Sequence, residues 1–391
     1  MANRTLARGA RGSFGSLSVH SFVIWIALAL CSNAQDATPA AAIALEKQGQ
    51  LAEAAEVWRA VAQKNPSDAS AFASLGIVLS KEQKYDQAAA AYEKALSLKP
   101  NLPGIRLNLA LAEFKQGRFD AAIPALRAVL SAEPNNSQAT TLLGLSCYGA
   151  GRFAEAAKYL ALAAKSDPAN AELREVLAQS CLWAKKYSCA LDEFQQIVKQ
   201  NPNSAAAHML TGEALDGLQR TPEAIAEFQA AAEGSSDEPN VHFGLGYLYW
   251  KSHRYDEAER EFQRQLAIDP NHAQSFAYLG DIAMKRSKLD EAVSWLRKAI
   301  SQNDKIRLPY LDLGAILTQQ KHYDQAVTML KRAVTLDASQ PDAHYRLARA
   351  YQAMGNASEA KKEFAEVSEL HRKADEPLAS KLSDAPPPLP H

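Results

Sequence analysis

Starting at Ala54 and stepping by 34 residues, the chain places alanine at 54, 88, 122, 156, 190, 224, 258, 292, 326 and 360, with no insertion or deletion between them. A fixed period of this length over ten units means stacked repeats, in which no unit buries its apolar face alone. Twelve residues before each alanine stands a tiny residue: Ala42, Gly76, Ala110, Gly144, Ala178, Gly212, Gly246, Gly280, Gly314 or Ala348. Four residues after it stands a large apolar one: Trp58, Tyr92, Leu126, Leu160, Phe194, Phe228, Phe262, Leu296, Leu330 or Phe364. Three registers held this long override the two or three domains that 391 residues would suggest at roughly 100 to 200 residues each.

The units start at 35, 69, 103, 137, 171, 205, 239, 273, 307 and 341, and each is numbered here from 1 to 34. Apolar or small residues fall at positions 4, 7, 8 and 11, then at 17, 20, 24 and 27. Spacings of three and four mark one face of a helix, so each unit is two amphipathic helices; the period-two alternation of a strand is absent. Gln48-Gly49, Gln116-Gly117, Ala150-Gly151 and Met354-Gly355 suit the tight turn between them. Pro66, Pro100, Pro134, Pro168, Pro202 and Pro270, at position 32, stop the second helix, and the residues after them can cap the next. Glycine inside a helix costs about 1 kcal/mol against alanine. Six units accept it at position 8, which predicts a large side chain of the facing helix in that place, with the residue at 24 filling the neighbouring space.

Leu75-Gly76, Leu79, Tyr85, Ala88, Tyr92, Ala95 and Pro100 in one unit, and Leu143-Gly144, Gly151, Phe153, Ala156, Leu160, Ala163 and Pro168 in another, resemble the tetratricopeptide repeat. The resemblance spans 35–374. It implies an all-α fold, a right-handed superhelical solenoid of about ten 34-residue helix-turn-helix repeats. It further implies that the first helices line a concave groove for peptides or protein segments. Some units depart from the pattern. Thr211 and Thr221 stand at packing positions, position 32 of that unit is not proline, and Gln265 replaces the usual alanine at 27, which predicts softer packing around 210–240. Pro39, placed inside the first helix of the first unit, predicts fraying there.

Positions 2, 5, 9, 12 and 13 lie away from the packing stripe of the first helix and, by the resemblance, face the groove. They supply Ile77, Leu107, Leu111, Phe114, Leu145, Tyr148, Trp183, Met209, Phe243, Tyr247 and Trp250, joined by Leu142 and Tyr278 at position 6. Lys81, Glu172, Glu175, Gln179, Asp281, Asp312, Arg346 and Arg349 form polar edges. Exposed apolar area on this scale marks an interaction site; the competing reading is that positions 5, 9 and 12 pack on the next repeat. The strongest wall is Phe243, Tyr247 and Trp250 with Tyr278 of the following unit. Family members that clamp a carboxylate carry Lys and Asn at positions 5 and 9. Ala73/Ile77, Leu107/Leu111 and Thr141/Leu145 do not support such a clamp.

Residues 1–34 are a different material. Arg4, Arg8 and Arg11, no acidic residue, an apolar run from Phe22 to Leu30, then Ser32 and Ala34 read as a secretory signal cleaved between Ala34 and Gln35. The run is too short for a stable membrane anchor. The alternative is a lipid on Cys31, although Leu30 before it is not the small residue such boxes want. The expected location is therefore periplasmic or secreted. At the other end, 375–391 carries Pro386-Pro387-Pro388 and Pro390, a composition for a disordered, extended tail. Basic and acidic residues number 43 and 44, a net charge of −1 that gives no footprint for nucleic acid or an anionic membrane.

The chain contains no glycine-rich phosphate loop, GxSxG, HExxH or CxxC, so neither catalysis, a cofactor nor a metal is expected. His208, His242 and His344 share position 4 and read as helix-packing residues. Cys181 and Cys189, at positions 11 and 19, are symmetric about the turn and would face each other in a helical hairpin. In an oxidising compartment they could pair, contributing about 2 to 3 kcal/mol, with Cys147 left as a buried thiol; three reduced core cysteines are the other reading. The function expected is an exported scaffold binding a protein or peptide in an apolar, aromatic groove. A chaperone-like holder of exported chains, a spacer packing as a homo-oligomer, and a non-catalytic subunit of an envelope polymer-export or glycosyl-transfer assembly are the alternatives.

Overall fold

The computed structural model describes residues 37–235 and 237–375. The cleavage site at Ala34 and Gln35, the lipid alternative at Cys31 and the tail beyond 375 lie outside the described residues. Among those described there are twenty α-helices and no strand, two helices to each repeat. They fall into two compact units, divided after Ala184.

The first unit holds α1 (Pro39–Lys47), α2 (Leu51–Lys64), α3 (Ala69–Lys81), α4 (Tyr85–Leu98) and α5 (Ile105–Lys115). It continues with α6 (Phe119–Ala132), α7 (Ser137–Gly149), α8 (Phe153–Ser166) and α9 (Ala171–Trp183). The second unit opens with α10 (Tyr187–Gln200), α11 (Ala205–Gly217), α12 (Thr221–Gly234), α13 (Val241–Lys251) and α14 (Tyr255–Ile268). Then come α15 (Ala273–Lys285), α16 (Leu289–Gln302), α17 (Arg307–Gln319), α18 (Tyr323–Leu336), α19 (Pro341–Ala353) and α20 (Ala357–Asp375).

Each boundary has a local cause. Asp68, Asn136, Asn170 and Ser204 cap first helices by accepting backbone N–H groups two or three residues on, which satisfies donors that the helix start leaves open. Pro39 does not fray the first repeat. It opens α1 at the position where proline's fixed φ and missing N–H are harmless, and the Thr38 hydroxyl caps the turn.

The turn at position 15 is left-handed in every repeat, yet only Gly49, Gly117, Gly151 and Gly355 are glycines there. Gln83, Lys185, Gln219, His253, Ser287 and Lys321 adopt the same conformation at φ 57 to 64°. A side chain in that region costs about 1 to 2 kcal/mol, so the packing of the helix pair fixes the turn where the residue type does not.

Between the two helices of a repeat, position 24 lies on position 8 itself. A Cβ on Gly246 would stand 2.7 Å from two ring carbons of Phe262, and one on Gly212 would stand 2.6 Å from the Phe228 ring. The large residue therefore does not merely fill adjacent space; its ring occupies the volume that glycine leaves. Gly246→Leu should destabilise by about 1 to 3 kcal/mol through overpacking, more than the roughly 1 kcal/mol regained in helix propensity. Urea unfolding checks the sign. Loss of hydrogen-exchange protection should be greatest over 239–306, because repeat stability is a sum of units and neighbour interfaces.

The region around 210–240 departs in a different way from the expected softness. Thr211 is buried and donates to the Ala207 carbonyl at 2.8 Å, and buried Gln265 accepts from the Phe243 N–H at 3.2 Å. The departure is a late helix start: Pro239 is followed by Asn240 at φ 67°, and α13 begins at position 3. Pro103 and Gly104 do the same before α5.

His208, His242 and His344 pack as expected, with an addition. Each Nδ1 lies 2.6 to 2.7 Å from Glu227, Glu261 or Glu363, always position 23 of the same repeat, tying the two helices together.

Candidate functional site

In the second unit, successive turns of α13 present Phe243, Tyr247 and Trp250, and α15 presents Tyr278. All four are half-buried. The Tyr278 ring meets Phe243 at 6.0 Å, Tyr247 at 5.8 Å and Trp250 at 4.9 Å between centroids. Tyr278 also lies flat on Phe262 at 5.4 Å, so the wall rests on the helix-pair core below it. Burial pushes the Tyr278 hydroxyl up to about 12, keeping it neutral at physiological pH. The Trp250 indole N–H donates to Asp281 Oδ2 at 2.5 Å, and Lys285 pairs with Asp281 Oδ1 at 3.3 Å. The sequence brought these four residues together correctly. It posed packing and exposure as alternatives, whereas the rings do both.

Beside this wall lies an open cavity of about 230 Å³ between α11 and α13. Met209 and Phe243 line it with Tyr247, over a floor of Phe228, while Glu213 and Asp216 stand on its acidic rim. Lys251 holds Asp216 at 2.7 Å. Glu213 keeps an exposed surface, and the residues crowded around its carboxyl desolvate it enough to raise it above its usual range. The cavity is thus an apolar hollow with carboxylates at its rim.

The first unit carries a second aromatic group. Trp183 is 52% exposed and stacks on Tyr148 at 5.5 Å with 16° between planes. Phe153 packs edge-on against Trp183 at 4.7 Å, and the Tyr148 hydroxyl donates to Gln179 at 2.6 Å. Sequence reasoning named Tyr148 and Trp183 but missed Phe153, because position 17 was assigned wholly to packing. Leu107, Leu111 and Phe114 on α5 and Leu145 on α7 are each half-buried, with Phe114 against Phe119 at 5.5 Å. Among the groove residues Leu142 alone is buried, at 7% exposed, because position 6 of its helix packs into the core; the others keep accessible surface.

Two expected edge residues are not at an edge. Asp281 and Asp312 are 3% and 1% exposed. The one-helix projection placed them on a solvated face, whereas the neighbouring repeat covers them. Cys147 is a buried free thiol, 3.7 Å from Glu155, and burial with that carboxylate pushes it up to about 11, so it is unreactive. Among the described residues no group of three His, Cys, Asp or Glu is placed to hold a metal, and no helix is long and apolar enough to cross a membrane.

Known proteins place this geometry. Models described as tetratricopeptide repeats match residues 107–171 and 243–305 and, separately, 148–214 and 317–383; one described as a TPR repeat matches 78–117. No curated protein matches the chain. A solved tetratricopeptide repeat protein from Parabacteroides merdae is similar at 20% identity and TM-score 0.52, over 63% of this chain and 97% of that one. The Cut9–Hcn1 hetero-tetramer of APC/C is similar at 16% identity and TM-score 0.51, over 88% and 81%. Yeast Tom70 aligns at 16% identity and TM-score 0.44, over 88% and 92%. Likeness at these identities speaks to fold alone, and the fold, the repeat register and the matched segments agree: the chain belongs to the tetratricopeptide repeat family.

Proposed function

We propose that the chain is an exported, non-catalytic scaffold that binds a protein or peptide segment along the apolar, aromatic faces of its first helices. The observation that carries this reading is that eleven of the twelve large groove residues from Leu107 to Tyr278 keep accessible surface, Leu142 alone being buried. Membership in a family of interaction repeats supports it, as does the use of the same fold in a protein complex such as Cut9–Hcn1. Aromatic side chains carry a disproportionate share of interface energy, and the wall at 243–278 concentrates four of them.

The test is capture from the exported fraction of the source organism with the mature chain and with Met209→Asp, which puts a carboxylate into the apolar cavity beside the wall. One defined protein recovered by the native chain and lost with the variant is the expected outcome. Equal recovery by both would remove the groove from the account. Recovery of many unrelated unfolded chains would favour a holder, and a concentration-dependent sedimentation coefficient would favour self-association.

Export and the disulfide belong to the same proposal. Peptide mapping of native protein without reduction should find an N-terminus at Gln35 and a peptide linking Cys181 to Cys189. An N-terminus at Met1, or a lipid on Cys31, overturns the assignment of the leader.

A further inference from the structure

Helices α15 and α17 are the first helices of consecutive repeats. Asp281 at position 9 and Asp312 at position 6 stand in the register that Tyr247 and Tyr278 occupy one repeat earlier, where two rings meet at 5.8 Å. Here two carboxyl groups replace the ring pair. Asp281 is satisfied, by the Trp250 indole N–H at 2.5 Å and by Lys285 at 3.3 Å. Asp312 is not. It is 1% exposed, and its Oδ2 is buried without a hydrogen-bond partner.

A buried carboxylate with no donor is costly enough that it takes up a proton instead of staying charged. The charged groups acting on Asp312 are Asp281 and Lys285 from α15, Arg346 from α19 and Arg307 from its own helix. The cations are partly engaged elsewhere: Lys285 pairs with Asp281, and Arg307 grips both oxygens of Asp342 at 2.7 and 3.0 Å. We propose that Asp312 is a proton site built into the wall: it packs as the neutral acid, and its ionisation repels Asp281 and loosens the Trp250 indole that Asp281 holds. Burial, then the charge of Asp281, push Asp312 up to about 7 against the pull of Arg346, Lys285 and Arg307, so the transition falls in the physiological range. The coupling belongs to the wall's own packing, with or without a partner bound.

The experiment follows Trp250 emission in the full mature chain from pH 5 to pH 9, isolated as the difference between the native chain and Trp250→Phe. A single transition centred near 7 is expected, absent in Asp312→Asn, which is isosteric and permanently neutral. Asp281→Asn should flatten the transition as well, since it removes the carboxylate through which Asp312 acts on Trp250. A transition that persists unchanged in Asp312→Asn overturns the proposal, as does a native chain whose Trp250 emission is flat across the range.

Discussion

Phe243→Ser combined with Trp250→Ser should lower partner affinity at least tenfold, about 1.4 kcal/mol. The same pair of changes should lower the stability of the second unit by about 3 kcal/mol or more, near the lower end of the range for losing buried aromatics. Both effects follow from one set of contacts. Trp250 loses its bond to Asp281 and its rings at Tyr247 and Tyr278, while Phe243 loses Phe262, His272 and Tyr278. The binding assay therefore has to be run well below the melting transition, with the folded fraction fixed by circular dichroism. Melting that falls while the folded fraction binds its partner undiminished would mean that the wall only packs, and the site proposed at 243–278 would be wrong.

The repeat was legible because its constraints are steric and periodic. Alanine at position 20 and the small residue at position 8 recur wherever two helix backbones come close, and helices appear where that register places them. The left-handed turn was legible only in part. Glycine announces it in four repeats, but Gln83, Ser287 and Lys321 adopt it under packing forces that leave no mark on residue type.

The wall's members were readable from their outward helix positions, since a projection around one helix needs no neighbour. Asp281 and Asp312 were misplaced for that same reason. Their burial is set by the adjoining repeat, which a single-helix projection does not contain. The Glu partners of His208, His242 and His344 were also periodic, always 19 residues on. A search for polar positions that recur together would have found them.

Raising the pH from 4 to 8 should weaken the native chain relative to Asp312→Asn by about 4 kcal/mol at most, because Asp312 moves from an ordinary 3.8 to about 7 and each unit is worth 1.36 kcal/mol. In the unfolded chain Asp312 ionises first as pH rises, whereas the native chain still holds the proton. The native state thus binds more protons between about 3.8 and 7, and its stability falls across that window, then levels off above it. Asp342 and Glu369 act in the opposite sense: their carboxyl groups sit below the usual range, and the stability they add disappears on acidification. Only the difference between native chain and variant isolates Asp312, so urea unfolding of both should be measured at each pH. Relaxation of α15 against α17, or water reaching the carboxylate, would shrink the change but not reverse it. A difference that stays constant from pH 4 to 8, or grows in favour of the native chain, would mean that Asp312 finds a partner when ionised and is no proton site.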